Sequence, residues 1–137
     1  MPNKPIQEIE GIGREYIEIL QSVGITSTDD LLAAGGTRRG RRDLVKQTKI
    51  GESLIIKWVH LCNLFRLDAF ASQDAGLLQA AGISTLQELR RSNATILEKI
   101  LMQANERLKM TREAPSIQEL NDWIEQAKKL PPAIVNY

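Results

Sequence analysis

Leu20-Gln21-Ser22-Val23-Gly24-Ile25-Thr26 and, 58 positions further on, Leu78-Gln79-Ala80-Ala81-Gly82-Ile83-Ser84 share one plan. In the first copy, Tyr16, Ile17, Ile19, Leu20 and Val23 recur at three- and four-residue spacing, the mark of an amphipathic helix. Gly24 then stands where a left-handed cap ends such a helix. Further along, Trp58-Val59 matches Trp123-Ile124 at an interval of 65, so the second half carries about seven extra residues between the two landmarks. Two matches in the same order point to an internal repeat.

Working outward from these landmarks, short helices joined by tight turns account for nearly the whole chain. Ser27 with Asp30 and Ser84 with Gln87 have capping-box spacing and open short helices around Leu31-Leu32 and Leu86-Leu89. Thr37 caps a helix running to about Thr48, and Gly51 starts one through Ser53–Cys62. Asn93 leads a helix carrying Ile96, Leu97, Ile100, Leu101, Ala104 and Leu108. Ser116 and Glu119 open the last helix, which Pro131-Pro132 stops. No stretch alternates with a period of two between hairpin turns, so no strand is expected. The expected fold is all-α: two helix-hairpin-helix-like halves, 6–66 and 67–130, packed as one compact pseudo-repeat domain over 1–137, with 131–137 as a C-terminal tail.

Composition narrows the function classes. A length of 137 residues suits one core, and 42% apolar residues with only two each of Trp, Tyr and Phe imply a core of Leu, Ile, Val and Ala. Trp58 and Trp123 read as matching core residues rather than a ligand cage. The lone Cys62 can form no internal disulfide, and neither a signal-peptide run nor a membrane-length apolar stretch occurs, so a cytoplasmic location without a membrane partner is expected. With 18 basic against 17 acidic residues, any basic site must be local.

Two segments qualify as sites. Between Thr37 and Lys49 lie Arg38, Arg39, Arg41, Arg42, Lys46 and Lys49, opposed by Asp43 alone. Arginine forks suit phosphate, and several fall near a helix start, where backbone amides add to the positive field. In Ile9-Glu10-Gly11-Ile12-Gly13-Arg14-Glu15-Tyr16, two glycines permit a tight turn, Ile12 plugs the core, and outward amides at a helix start can hold an anion. Around this turn, however, Glu8, Glu10, Glu15 and Glu18 face Arg14 alone.

The Gly11-Ile12-Gly13 pattern, continued by Leu20 and Gly24-Ile25, resembles the helix-hairpin-helix superfamily, whose hairpins commonly grip DNA backbones without reading sequence. More closely, the chain resembles a bacterial family of unknown function of tandem helix-hairpin-helix type. That resemblance runs through Gly36-Thr37-Arg38-Arg39-Gly40-Arg41, Trp58-Val59, Leu64-Phe65-Arg66 and Asp122–Pro131. Family members usually carry a second Gly-x-Gly hairpin, where this chain has Ala69-Phe70-Ala71. Alanine disfavours positive φ, so a phosphate cradle there is not expected, while Phe70 should remain a core plug.

Catalysis has little support in the sequence. His60 lies two residues from both Trp58 and Cys62, on a different helical face from either, and carboxylates follow the spacing of surface pairs such as Glu125 and Lys129. No phosphate-loop lysine, metal-ligand spacing or nucleophile elbow occurs, and no cofactor or small-molecule substrate is implied. Leu44–Ser53 followed by Ile56 has a helix-turn-helix look, but a reading helix over Glu52–Asn63 is too apolar to face bases. The expectation is a non-enzymatic module contacting a DNA or RNA backbone through Arg38, Arg39, Arg41, Arg42 and Lys46, with Gly11, Ile12, Gly13 and Arg14 secondary. The alternative is a protein–protein adaptor or assembly factor whose acidic turn and basic run meet a partner.

Overall fold

The structure, a computed structural model, describes residues 3–9, 11–111 and 113–135. Among them it is all-helical: a 3-10 turn at Ile6–Glu8 and eight α-helices, with an isolated bridge between Pro5 and Ser27 as the only β pairing. No helix among these residues is long and apolar enough to cross a membrane. The chain divides into two compact units, Met1–Arg66 with Pro131–Tyr137, and Leu67–Leu130.

The first unit holds α1 (Arg14–Ser22), α2 (Thr28–Gly35), α3 (Arg38–Thr48) and α4 (Glu52–Leu64). Packing among α2, α3 and α4 buries Leu31, Leu44, Ile55, Trp58 and Val59. Tyr16 of α1 leans on Trp58 with ring centroids 5.1 Å apart. The N-terminal residues run antiparallel to the start of α2: Ile6 N donates to the Thr26 carbonyl at 2.9 Å and Thr28 N to that of Lys4 at 2.8 Å. Segment 131–135 also belongs to this unit and sinks Ile134 into its core.

The second unit holds α5 (Ser72–Ala80), α6 (Leu86–Arg90), α7 (Ala94–Leu108) and α8 (Ile117–Lys129). Here α8 packs on α6 and α7, and α5 on α7. Phe70 is buried and meets Trp123 edge-on at 5.1 Å, so the expected plug is present.

The two quoted stretches form the same cap. Gly24 and Gly82 take φ of 87° and 85°. Ile25 N then reaches the Leu20 carbonyl at 3.0 Å, and Ile83 N that of Leu78 at 2.9 Å. Only a residue without Cβ enters this region cheaply, so the two glycines fix both helix ends. The caps at Ser27, Thr37, Asn93 and Ser116 stand where the spacing places them. The one at α6 shifts by a residue: Thr85 with Glu88, not Ser84 with Gln87, forms the box, with Glu88 N to Thr85 Oγ1 and Thr85 N to Glu88 Oε1 both at 3.1 Å. Glu88 also accepts from Ser84 N at 3.0 Å, and a carboxylate holding two amides outcompetes the neutral Gln87.

Candidate nucleic-acid interface

Three glycines build the corner between α2 and α3. A Cβ on Gly35 would collide with the Val59 side chain, and one on Gly40 with the Ala34 carbonyl; one on Gly36 would stand 2.6 Å from the Ala133 carbonyl. Close backbone approach, not positive φ, is what glycine supplies here. Thr37 then caps α3 by accepting from Gly40 N at 3.0 Å.

Arg41 belongs to this corner rather than to the surface. It is 2% exposed, its Nη1 donating to the Gly35 carbonyl at 2.8 Å and its Nη2 to that of Val135 at 3.2 Å. Val135 N in turn donates to the Gly36 carbonyl at 2.8 Å. Burial lowers the Arg41 pKa, Glu52 counteracts that, and Arg38 lowers it further. The expectation that Arg41 touches a ligand is therefore corrected: it clamps 131–135 onto the corner. Its position explains this, because Arg41, Leu44 and Thr48 recur at three- and four-residue steps and form the buried stripe of α3.

Arg38, Arg39, Arg42 and Lys46 are exposed on the remaining face of α3, with Lys49 exposed just beyond it. Arg38, Arg42 and Lys46 follow one another at intervals of four, forming a ridge about 12 Å long at 1.5 Å rise per residue. Asp43 is the one carboxylate on the helix. Among the eight helices, only α3 and α7 carry no acid in the first turn. Arginines at the positive end of a helix dipole oppose it by about 0.3–1 kcal/mol each, a cost that a bound anion would remove.

The turn at Gly11-Ile12-Gly13 lies at the head of α1. Ile12 is buried as expected, and Gly13 caps α1 at φ −69° and ψ 155° without a side-chain bond. A Cβ on Gly11 would come within 3.2 Å of Leu61 Cδ2. Arg14 is exposed and pairs with Glu18 at 3.7 Å, while Glu8 and Glu15 are exposed beside it; Glu10 lies outside the described residues. The turn therefore offers amides in acidic surroundings.

A second turn of this kind escaped the sequence reading. Lys49 takes a left-handed φ of 63°, Ile50 is buried, and Gly51 caps α4 at φ −60° and ψ 145° with no side-chain bond. Ile50-Gly51-Glu52 does echo Ile12-Gly13-Arg14, but lysine at the left-handed position concealed the turn. It carries the cationic ridge to the start of α4.

The alanine turn keeps the same backbone course, since Ala69 has φ 57°, Phe70 is buried and Ala71 caps α5 at φ −107° and ψ 164°. Two of its amides are occupied: Asp68 N by Gln126 Oε1 at 2.8 Å and Ala71 N by Asp74 Oδ2 at 2.9 Å. Desolvation raises the Asp74 pKa. A carboxylate thus sits where an anion would need to bind. Elsewhere, Cys62 is a core thiol pushed up to about 12, first by burial and then by Asp29, and is protonated at neutral pH.

Over residues 10–130 the sequence matches a family described as a domain of unknown function (DUF4332), and the chain belongs to that family. No curated protein matches it. No solved structure matches it either.

Proposed function

We propose that the chain is a non-enzymatic, cytoplasmic module of helix-hairpin-helix type that grips a nucleic-acid backbone without sequence preference through Arg38, Arg39, Arg42 and Lys46. The observation that carries this reading is the α3 ridge: four exposed cations on one face of a helix that has no carboxylate in its first turn. Arg41 positions the ridge by holding the corner from which α3 departs. Lys49 extends the contact surface. The turns at Gly11–Gly13 and Lys49–Gly51, each a buried isoleucine followed by a glycine cap, support the superfamily reading, and the matched glycine caps support descent of the two units from one plan. The test is anisotropy with a labelled duplex across a salt series. If all four cations meet phosphates, log K should fall against log salt with a slope of about −4. Replacing the four by Ala should abolish most of the binding, and absence of binding at low salt refutes the reading.

The adaptor alternative draws on a different observation, the near-neutral total charge with carboxylates gathered around α1.

A further inference from the structure

Helix α7 and the stretch after it carry five of the large apolar side chains exposed among the described residues: Ile96, Ile100, Met102, Leu108 and Met110. Ile96 is 60% and Ile100 41% exposed, and together they border a cleft of about 210 Å3 floored by Ile83 and Leu97. That volume is below the roughly 300–1,000 Å3 of small-molecule sites and suits one protruding side chain. Exposed aliphatic residues beside a concavity mark a contact surface.

Charge defines what fits there. Arg90 and Arg91 are exposed immediately before Ser92 and Asn93, which line the cleft. The nearby acids are engaged elsewhere: Glu88 holds the amides of Ser84 and Thr85, and Glu98 Oε2 accepts from Ile117 N at 3.1 Å. Arg90 and Arg91 give the cleft a cationic edge, which suits a partner that offers apolar side chains flanked by carboxylates.

The first unit presents such a surface. On α1, Tyr16 and Ile19 are exposed three residues apart, and Glu15 and Glu18 are exposed at the same spacing beside them, Glu18 sharing its charge with Arg14. We propose that α1 of a second copy of this chain docks on the α6–α7 face, Ile19 entering the apolar cleft while Glu15 and Glu18 meet Arg90 and Arg91. Each copy carries both surfaces, so the contact either closes reciprocally between two copies or propagates into rings or open chains. It uses none of the α3 ridge residues and stands whether or not that ridge binds nucleic acid.

Charge reversal tests the pairing. In sedimentation of the full-length chain at low salt, the weight-average mass should rise above the monomer between ~10 μM and ~1 mM. The variants Glu15→Arg/Glu18→Arg and Arg90→Glu/Arg91→Glu, with helical content checked by circular dichroism, should each remain monomeric. Mixed in equal amounts, they should assemble again, since each then meets a complementary face. Ile96→Asp/Ile100→Asp should remain monomeric on its own. A wild-type chain monomeric throughout the range overturns the proposal, as does failure of the mixture to recover. Assembly that persists in both charge-reversed variants overturns the pairing of α1 with the α6–α7 face.

Discussion

Replacing Arg41 separates structural arginine from surface arginine within one cluster. Its guanidinium donates to two carbonyls, Gly35 at 2.8 Å and Val135 at 3.2 Å, the latter 94 residues away in sequence. Arg41→Ala leaves both acceptors without this donor, at about 1–3 kcal/mol each where water cannot replace it. Relief from burying a cation offsets part of that loss. The expected net cost is about 3 kcal/mol, a large share of the roughly 5–15 kcal/mol that stabilises a domain. On melting, this corresponds to a decrease on the order of 10 °C. Arg41→Lys should fall between wild type and Ala, because an ammonium keeps the charge but not the planar fork.

Urea unfolding followed by tryptophan fluorescence reads the effect, since Trp58 lies in the first unit and Trp123 in the second, both buried. In a Trp123→Phe background, the Trp58 transition should move to lower urea with Arg41→Ala. It should also move when residues 131–137 are deleted. Arg38→Ala, Arg39→Ala and Arg42→Ala should each change stability by about 0.5 kcal/mol or less. The reasoning fails if Arg41→Ala is as stable as wild type and weakens nucleic-acid binding as much as Arg38→Ala does.

Three further substitutions test the turns and the corner. Ala69→Gly should stabilise the chain by about 0.5–1 kcal/mol, because alanine is strained at φ 57°, whereas Ala71→Gly, at φ −107°, should destabilise it by a similar amount through added freedom in the unfolded state; opposite shifts in urea midpoint are the check. Gly40→Ala should cost about 2–3 kcal/mol despite alanine's better helix propensity, because its methyl would overlap the Ala34 carbonyl, and a melting temperature equal to wild type would contradict the corner geometry.

How much was legible depended on whether a residue's own chemistry fixed its role. Gly24 and Gly82 were readable because left-handed backbone after an apolar helix favours glycine strongly, and the structure places both there. The caps at Ser27, Thr37, Asn93 and Ser116 were readable because a short side-chain acceptor three residues before an amide has one favoured use at a helix start. Lys49 and Ala69 were not, since nothing in a lysine or alanine announces positive φ; tertiary packing of Ile50 and Phe70 accompanies that conformation in both turns. The tie between Arg41 and Val135 depends on a segment distant in sequence, which local patterns do not reveal.

Arg41 itself was half readable, and the reason bears on the function proposed. Arg38, Arg39, Arg41 and Arg42 look equivalent as composition, and a local charge count treats them alike. As positions on a helix they differ: Arg41 shares the stripe of Leu44 and Thr48, whereas Arg38 and Arg42 share that of Lys46. The apolar stripe decides which guanidinium is drawn inward, and the close approach allowed by Gly35 and Gly36 supplies the carbonyls that receive it. Removing Arg41 from the contact set lowers the number of cations available, yet it strengthens the case for the others. A helix held at its first turn by a buried clamp presents Arg38, Arg39, Arg42 and Lys46 on a fixed backbone, so the proposed contact with phosphates would cost less freedom than one made from a loose basic loop.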